Sequence, residues 1–228
     1  MAIANNKLSR DAVLGRVRKA LDVGGNRDAA RAEAEAYVVA HAHGPRPAMP
    51  ADLVARFLQR ATDMASTVER IGSPADIPAA VARYLDTLVL PPALAAQKSH
   101  QGVCWPEFAA LDWHRAGLTI EARPTLGHDR LGITGCCCAI AETGTLVFTT
   151  GVDTPTATTL LPDTHIAVLH ADRIVSGMEE ALAMVRRERG TMPRAVNMIS
   201  GPSRTGDIEQ TIVLGAHGPF RVHILMLG

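Results

Sequence analysis

Two runs in the second half of the chain are almost wholly apolar: THIAVLH at residues 164–170 and FRVHILML at residues 220–227. Between them lies EEALAMVRRE, residues 179–188, which has a helical pattern. A strand that is apolar along its length has both faces buried, as in parallel or mixed sheets that are covered on both sides. Strand, helix and strand in this order therefore predict an α/β domain.

Other segments continue this alternation. Residues 132–150, GITGCCCAIAETGTLVFTT, predict two strand-like pieces broken at Glu142-Thr143-Gly144, and residues 194–201, RAVNMISG, predict another strand. Ser73-Pro74-Ala75-Asp76 and Ser176-Gly177-Met178-Glu179 are both typical of capping boxes that open helices. Each of these signals agrees with an α/β fold.

The first half of the chain is largely helical and is divided by a proline-rich break. Pro45, Pro47 and Pro50 follow an Ala- and Glu-rich helical segment, and Pro50 is well placed to open the next helix. We therefore predict a helical extension over residues 1–48 and an α/β domain over residues 49–228.

Composition and charge exclude several classes of protein. The 228 residues are 47% hydrophobic, and Lys+Arg and Asp+Glu both number 23, so the formal net charge is zero. No overall field or long basic run favours a nucleic-acid or anionic-membrane partner. The start, MAIANNKLSR, lacks the features of a secretory signal, and VHILML is too short to span a bilayer. We expect a soluble cytoplasmic protein with no nucleic-acid partner and no membrane insertion.

The four cysteines are Cys104 and the run Cys136-Cys137-Cys138. Neighbours in sequence cannot form a disulfide without strain, and a metal or iron–sulfur site needs spacing such as C-x-x-C. Small packing residues are therefore the favoured interpretation, ahead of a redox role. We predict no metal site and no cofactor bound by this chain.

The segment after RAVNMIS has the chemistry of an anion site. Ligands of open α/β sheets bind where loops leave the carboxyl ends of strands. Ser203 and Thr205 offer hydroxyl groups there, and Arg204 offers a planar guanidinium for a carboxylate or phosphate. Asp207 and Glu209 would orient that arginine or handle protons. An internal ion network of the arginine and the two carboxylates is an equally favoured alternative.

Two further segments follow predicted strands. Glu142 lies between apolar strands, where a carboxylate is costly unless it is paired or hydrogen-bonded. It could act as a base or nucleophile, or accept hydrogen bonds from the amides of its own turn, and the structural role is favoured. Asp172-Arg173 forms the turn after THIAVLH. His217 could act as an acid or base, although an ordinary turn histidine is favoured.

Three motifs in this order, GITGCCCAIAETGTLV, LLPDTHIAVLHADRIV and ISGPSRTGDIEQTIVLGAHGP, resemble the LUD-domain family, specifically its lactate-utilization protein C type. The resemblance implies a three-layer α/β/α sandwich of the NagB/RpiA/CoA-transferase-like fold. It also implies membership of a three-component system that oxidises L-lactate to pyruvate. Two iron–sulfur proteins would be the partners, and the iron–sulfur clusters would lie in them.

Carried over residue by residue, the resemblance implies site residues in three segments and one histidine turn. They are Glu142, Thr143, Gly144 and Thr145; Asp172 and Arg173; Ser203, Arg204, Thr205, Asp207 and Glu209; and His217. The sequence departs from the family pattern at the cysteine run, where at most one cysteine is expected, and at Gly206, where alanine is usual. The family has no agreed catalytic residues, so the resemblance alone does not make this chain an enzyme.

These residues support three functional hypotheses. In the leading one, a substrate-handling subunit of the lactate-oxidising system holds a small carboxylate with Arg204 and its neighbouring hydroxyls, and Glu142 or Glu209 accepts a proton. The first alternative is a free-standing enzyme, similar to CoA transferases or sugar-phosphate isomerases, with Glu142 as nucleophile or base. The second alternative is a non-catalytic scaffold.

Overall fold

The computed structural model describes residues 2–21, 27–42, 44–89, 100–208 and 211–228. The chain divides into two compact units, Met1–Pro47 and Ala48–Gly228. The first unit contains helices α1 (Ala2–Ala20) and α2 (Arg27–Ala40), and α2 buries none of its residues. In the part of the chain that the structure describes, no helix is both long enough and apolar enough to cross a membrane.

A six-stranded parallel sheet forms the centre of the second unit. Its strands, in spatial order, are β1 (Thr67–Ile71), β12 (Arg221–Leu227), β7 (Thr164–His170), β4 (Leu131–Gly135), β2 (Gln101–Cys104) and β3 (Thr119–Ala122). All five neighbouring pairs run parallel. Strand β4 is buried throughout, β7 except at its last residue and β12 except at its first. Both faces of the sheet's centre are thus covered, which confirms the predicted α/β class.

A second, four-stranded sheet was not expected. Its strands, in spatial order, are β8 (Ile174–Val175), β5 (Cys138–Ile140), β6 (Thr145–Thr149) and β9 (Val196–Ile199). The predicted break at Glu142-Thr143-Gly144 is confirmed, but the piece before it was wrongly predicted as one strand, because it forms both β4 and β5. The chain leaves the central sheet after Gly135 and enters the second sheet at Cys138, so the first two cysteines of the run lie between the sheets.

Strands β10 (Arg204–Ile208) and β11 (Thr211–Leu214) form a separate antiparallel hairpin, with Arg204 opposite Leu214. The polar segment after RAVNMIS was expected to be a loop, yet it becomes a strand from Arg204 onward. Pairing with β11 gives its backbone polar groups hydrogen-bond partners, which a polar segment needs as much as an apolar one.

Among its described residues, the second unit also contains four helices: α3 (Leu53–Asp63), α4 (Ile77–Thr87), the single turn α5 (Ala157–Leu160) and α6 (Met178–Arg189). Helix α4 follows a 3₁₀ turn at Pro74–Asp76, whose capping box is confirmed: the Ser73 N–H donates to Asp76 Oδ2 at 2.8 Å.

Two helix starts differ from prediction. Pro50 does not open α3; instead Asp52 is the N-cap, and its Oδ1 accepts from the Ala55 N–H at 2.9 Å. The box that opens α6 is shifted by one residue, because the Gly177 N–H donates to Glu180 Oε2 at 3.0 Å. In α3 the carboxylate belongs to the N-cap residue, whereas in α6 it lies three residues beyond the cap, and both arrangements satisfy a free amide of the first turn.

One large core surrounds the central sheet and includes Phe57 and Ala61 of α3. A smaller core lies between the second sheet and α6, formed by Cys138, Ile140, Val147, Ala181 and Val185. These two cores hold the second sheet and α6 in place, with the ends of β6 and α6 near the carboxyl ends of β2 and β4.

Candidate functional site

A cavity of about 160 Å³ lies where central strands β2 and β4 end. Ligands of parallel sheets bind at such carboxyl ends. Trp105 and Glu107 follow β2, Cys136 and Cys137 follow β4, and the remaining walls come from the end of β6, the loop after it and the end of α6. Those walls are Thr149, Thr154, Glu188 and Arg189.

Glu107 is the carboxylate that reaches the end of β4. Its Oε1 accepts from the Gly135 N–H at 3.1 Å. A Cβ at Gly135 would stand 2.3 Å from the same oxygen, so only glycine lets the carboxylate approach. Loss of hydration raises the pKa of Glu107, while the Gly135 hydrogen bond and the nearby His170 act in the opposite direction. A carboxyl of this kind is suited to proton transfer.

Arg189, the last residue of α6, presents its guanidinium to the cavity. Its Nη2 donates to Thr149 Oγ1 at 2.9 Å, and the Thr149 carbonyl accepts from Thr154 Oγ1 at 2.7 Å. Among the described residues, no carboxylate forms a salt bridge with Arg189. The rest of its donor fork is thus available to an anion, and a guanidinium suits a carboxylate best.

Arg173, by contrast, is already paired. Its Nη2 lies 2.9 and 2.7 Å from the two carboxylate oxygens of Glu188, and its Nε donates to the Cys137 carbonyl. This pairing raises the pKa of Arg173 and lowers the pKa of Glu188. The predicted ligand-binding arginine of the ADRIV motif therefore ties the cysteine run to α6.

The three consecutive cysteines have different surroundings. Cys138 is fully buried, and Cys136 donates from Sγ to the Val168 carbonyl at 3.5 Å. Hydrogen bonding to Cys137 and burial raise the pKa of Cys138, and burial raises the pKa of Cys136. Cys137 is half-buried, and hydrogen bonding to Cys138, aided by Arg173, lowers its pKa. Of the run, Cys137 thus has the most thiolate character.

The Glu142–Thr145 turn joins β5 to β6 and packs against α3. Thr145 Oγ1 lies 2.6 Å from Thr143 Oγ1 and 2.7 Å from Ser200 Oγ, so three hydroxyls form a chain. Gly144 has φ +69°, and a Cβ there would stand 2.5 Å from the Ala61 nitrogen. The Gly144 N–H donates to the Ile140 carbonyl at 3.0 Å, so that amide is not available to the half-buried Glu142 side chain.

The other predicted anion site lies on the β10–β11 hairpin. The Ser203 N–H donates to the Pro219 carbonyl at 2.9 Å, which brings it beside the turn that contains His217. The side chains of Arg204 and His217 are exposed, and Thr205 is half-buried. The Asp207 side chain and the whole of Glu209 lie outside the described residues, so both the anion site and the ion network stay predictions.

The structure therefore brings the predicted residues together in separate groups. Thr143 and Thr145 meet Ser200, Ser203 meets the HGP turn, and Arg173 meets Cys137. Among described contacts, no hydrogen bond or ion pair joins Arg204 to Glu142 or Arg173.

Sequence reasoning missed Glu107, Cys137 and Arg189. Glu107 and Cys137 could have been found, because each stands shortly after a short apolar run and the strand-end rule applies to both. Arg189 carries no such signal, since it stands among other charged residues at the end of a helix. In the described part of the chain, no group of three or more His, Cys, Asp or Glu side chains could hold a metal ion.

Comparison with known proteins agrees with this architecture. The family model of the LUD domain matches residues 103–227. A crystal structure of a DUF162 family protein from Deinococcus radiodurans superposes with a TM-score of 0.56 over 80% of this chain and all of that one. At 24% identity, this likeness supports the fold alone.

Sequence relatives extend the match beyond the domain. Lactate utilization protein C of Deinococcus radiodurans is 32% identical over 195 residues, which cover 81% of this chain and 84% of the relative. Lactate utilization protein C of Bacillus subtilis is 35% identical over 100 residues, 42% of either chain. The domain match spans more than half of the chain and the first relative matches most of it, so the chain belongs to the LUD-domain family.

Proposed function

We propose that this chain is the component of an L-lactate utilisation system that binds the small carboxylate. Similarity to lactate utilization protein C over 84% of the Deinococcus relative supports the system. Two iron–sulfur proteins, which the sequence motifs imply as partners, would accept the electrons when L-lactate becomes pyruvate. The chain's own part is to bind the molecule, orient it and hold a proton.

Arg189 is the observation that carries the proposal. It combines an unpaired guanidinium fork with a hydroxyl neighbour, Thr149, on the wall of a cavity that suits a molecule of a few heavy atoms. A carboxylate would accept two parallel hydrogen bonds from such a fork. Ligand binding would thereby neutralise the one cavity-wall arginine that has no acidic partner among the described residues.

Glu107 supplies the second group that a hydroxy acid needs. Its carboxylate lines the same cavity and is held by the Gly135 N–H. In its ionised form it accepts the proton of the ligand's hydroxyl group, and in its protonated form it donates to the oxygen of a keto acid. The raised pKa of Glu107 brings both forms closer to neutral pH.

The β10–β11 hairpin offers the competing anion site. Arg204 with Ser203 and Thr205 retains the donor chemistry expected from sequence, and Arg204, like Arg189, is exposed. We place the carboxylate at Arg189 because Arg189 lines a cavity together with Glu107, whereas Arg204 is not among the residues that line it.

Complementation tests this function. A strain that lacks this gene would be grown on L-lactate as carbon source after supply of the wild type, Arg189→Ala or Arg204→Ala. We expect growth with the wild type and Arg204→Ala, and little growth with Arg189→Ala at equal protein levels. Growth of the deletion strain itself would refute the lactate role, whereas failure of Arg204→Ala alone would move the site to the hairpin.

A further inference from the structure

Cys137 lies in a cluster of groups that the lactate function does not use. It lines the cavity beside Glu107 and Arg189, the Cys136 thiol donates to the Val168 carbonyl, and Cys138 is fully buried. Arg173 Nη2 lies 3.9 Å from Cys137 Sγ and 3.4 Å from Met184 Sδ. The thiol is thus reached from the cavity on one side and faces a cation on the other.

That cation is held firmly. Glu188 contacts Arg173 Nη2 with both carboxylate oxygens, and the Cys137 carbonyl accepts from Arg173 Nε. The backbone N–H of Cys137 donates to the Val147 carbonyl at 2.8 Å, which fixes the loop to the second sheet. The positive charge beside the sulfur is therefore part of the rigid structure.

We propose that Cys137 is a peroxide-reactive thiol whose oxidation closes the cavity. The thiolate sulfur attacks one oxygen of hydrogen peroxide, the S–O bond forms as the O–O bond breaks, and sulfur loses two electrons. The departing hydroxide takes up a proton to become water, and Cys137 is left as a sulfenic acid. The added oxygen occupies space that a ligand of Arg189 needs.

The neighbouring cysteines do not compete for this reaction. Cys104 and Cys138 are fully buried, and the Cys136 thiol donates to a backbone carbonyl. The charged groups facing Cys137 are Arg173 and Glu188, with Glu107 and Arg189 on the cavity wall. Hydrogen bonding to Cys138 and to Arg173 lowers the pKa of Cys137 against the opposing effects of burial and of Glu188, whereas burial raises the pKa of Cys104 to about 11.

A sulfenic acid at Cys137 would persist. A disulfide between adjacent residues is strained, which disfavours bridges to Cys136 and Cys138. The fourth cysteine, Cys104, is buried in the main core. An external thiol is therefore required to restore the reduced form.

The test is trapping with dimedone, which reacts with sulfenic acids. The full chain would be treated with one equivalent of hydrogen peroxide, trapped and mapped by peptide mass spectrometry. We expect the adduct on Cys137, its retention in Cys136→Ser and its loss in Cys137→Ser. Absence of an adduct, or equal labelling of Cys136, would overturn the assignment.

Arg173 provides a matched pair of variants, one that removes the positive charge and one that keeps it. At pH 5, alkylation of Cys137 by iodoacetamide should be about fivefold slower in Arg173→Ala, since a smaller share of the thiol is ionised, and close to wild type in Arg173→Lys. Near-UV circular dichroism checks that both variants keep the native packing. Equal rates in all three proteins would show that Arg173 does not activate the thiol.

Closure of the cavity by oxidation of Cys137 rests on the proposed function, and it is measured separately from the labelling of the thiol. Peroxide should weaken pyruvate binding at least about tenfold in the wild type, and the Kd of Cys137→Ser should be the same before and after treatment. Unchanged binding by an oxidised wild type would overturn closure of the cavity. Dimedone labelling decides the thiol assignment whether or not pyruvate binds.

Discussion

Two arginines near the cavity differ in their partners, and this difference assigns their roles. Glu188 contacts Arg173 with both carboxylate oxygens, whereas the hydroxyl of Thr149 is the side-chain partner of Arg189. A paired guanidinium beside a backbone carbonyl stabilises the local structure, while one with free donors can bind an anion. Residue type alone could not separate the two, because both are arginines beside acidic residues in sequence.

Buried histidines predict how stability depends on pH. His165 is fully buried, with Nε2 2.8 Å from Thr134 Oγ1, and burial lowers its pKa from 6.5 to about 3. Because the unfolded chain binds this proton more readily, the contribution of neutral His165 is complete above pH 6.5 and is lost as the pH falls toward 3. His223, whose pKa burial lowers to about 4, acts in the same direction.

Replacement of His165 by leucine should therefore flatten the pH dependence. The wild type is expected to lose about 1 kcal/mol of unfolding free energy per pH unit from this residue between pH 6 and 4. Urea unfolding at several pH values measures the slope, and His114→Gln, at an exposed position, is the control. A slope in His165→Leu as steep as in the wild type would contradict this account.

Close approach of the backbone predicts the cost of a side chain at Gly144. Both Gly144 and Gly117 have positive φ, +69° and +74°, but a Cβ at Gly117 meets nothing within 4 Å, whereas one at Gly144 meets the backbone of α3. Gly117→Ala should thus cost about 1 kcal/mol from strain alone, and Gly144→Ala about 3 kcal/mol or more. Thermal or urea unfolding compares them, and equal costs would show that α3 moves aside freely.

At the scale of elements, the long apolar strands were predictable and the short ones were not. Strands β7 and β12 each span seven residues and are buried almost throughout, so their pattern was clear. Strands β5 and β8 have three and two residues, too few to show a period, and their pairing depends on distant segments. The second sheet was therefore not predicted from the sequence. The same holds for its contribution to the cavity wall, Thr149 at the end of β6.

The cap of α3 gives a test at this scale. Asp52 accepts from the Ala55 N–H, and the last turns of α3 pack against Gly144 and Gly201. Asp52→Ala should lower the unfolding free energy by about 1 kcal/mol, the usual value of a lost N-cap. Asp153→Ala, at an exposed loop position, serves as the matched control. Equal stability of both variants in urea would show that the cap is dispensable.

For the whole molecule, the contacts within the second unit indicate that it folds by itself. Both hydrophobic cores consist of residues from position 49 onward. A protein of residues 48–228 should thus unfold cooperatively, with a melting temperature within about 5 °C of the full chain. Circular dichroism during heating measures this, and a broad or absent transition would show that residues 1–47 contribute to the core.

The candidate site illustrates what a sequence conveys at this scale. The motifs located Thr143, Arg173 and Ser203 near strand ends, and the family followed from their order. The cavity itself needs residues from β2, β4, β6 and α6, whose convergence depends on the topology of two sheets. Glu107 and Arg189 stand far apart in the chain, so their shared cavity could be seen in three dimensions only.

Isothermal titration of the full chain with pyruvate and with L-lactate tests directly whether Arg189 anchors a small carboxylate. We expect saturable binding by the wild type and by Arg204→Ala, with affinity reduced at least about tenfold in Arg189→Ala, since a charged hydrogen-bond pair contributes about 1.5–3 kcal/mol. Binding by Arg189→Ala as tight as that of the wild type would contradict this role of Arg189.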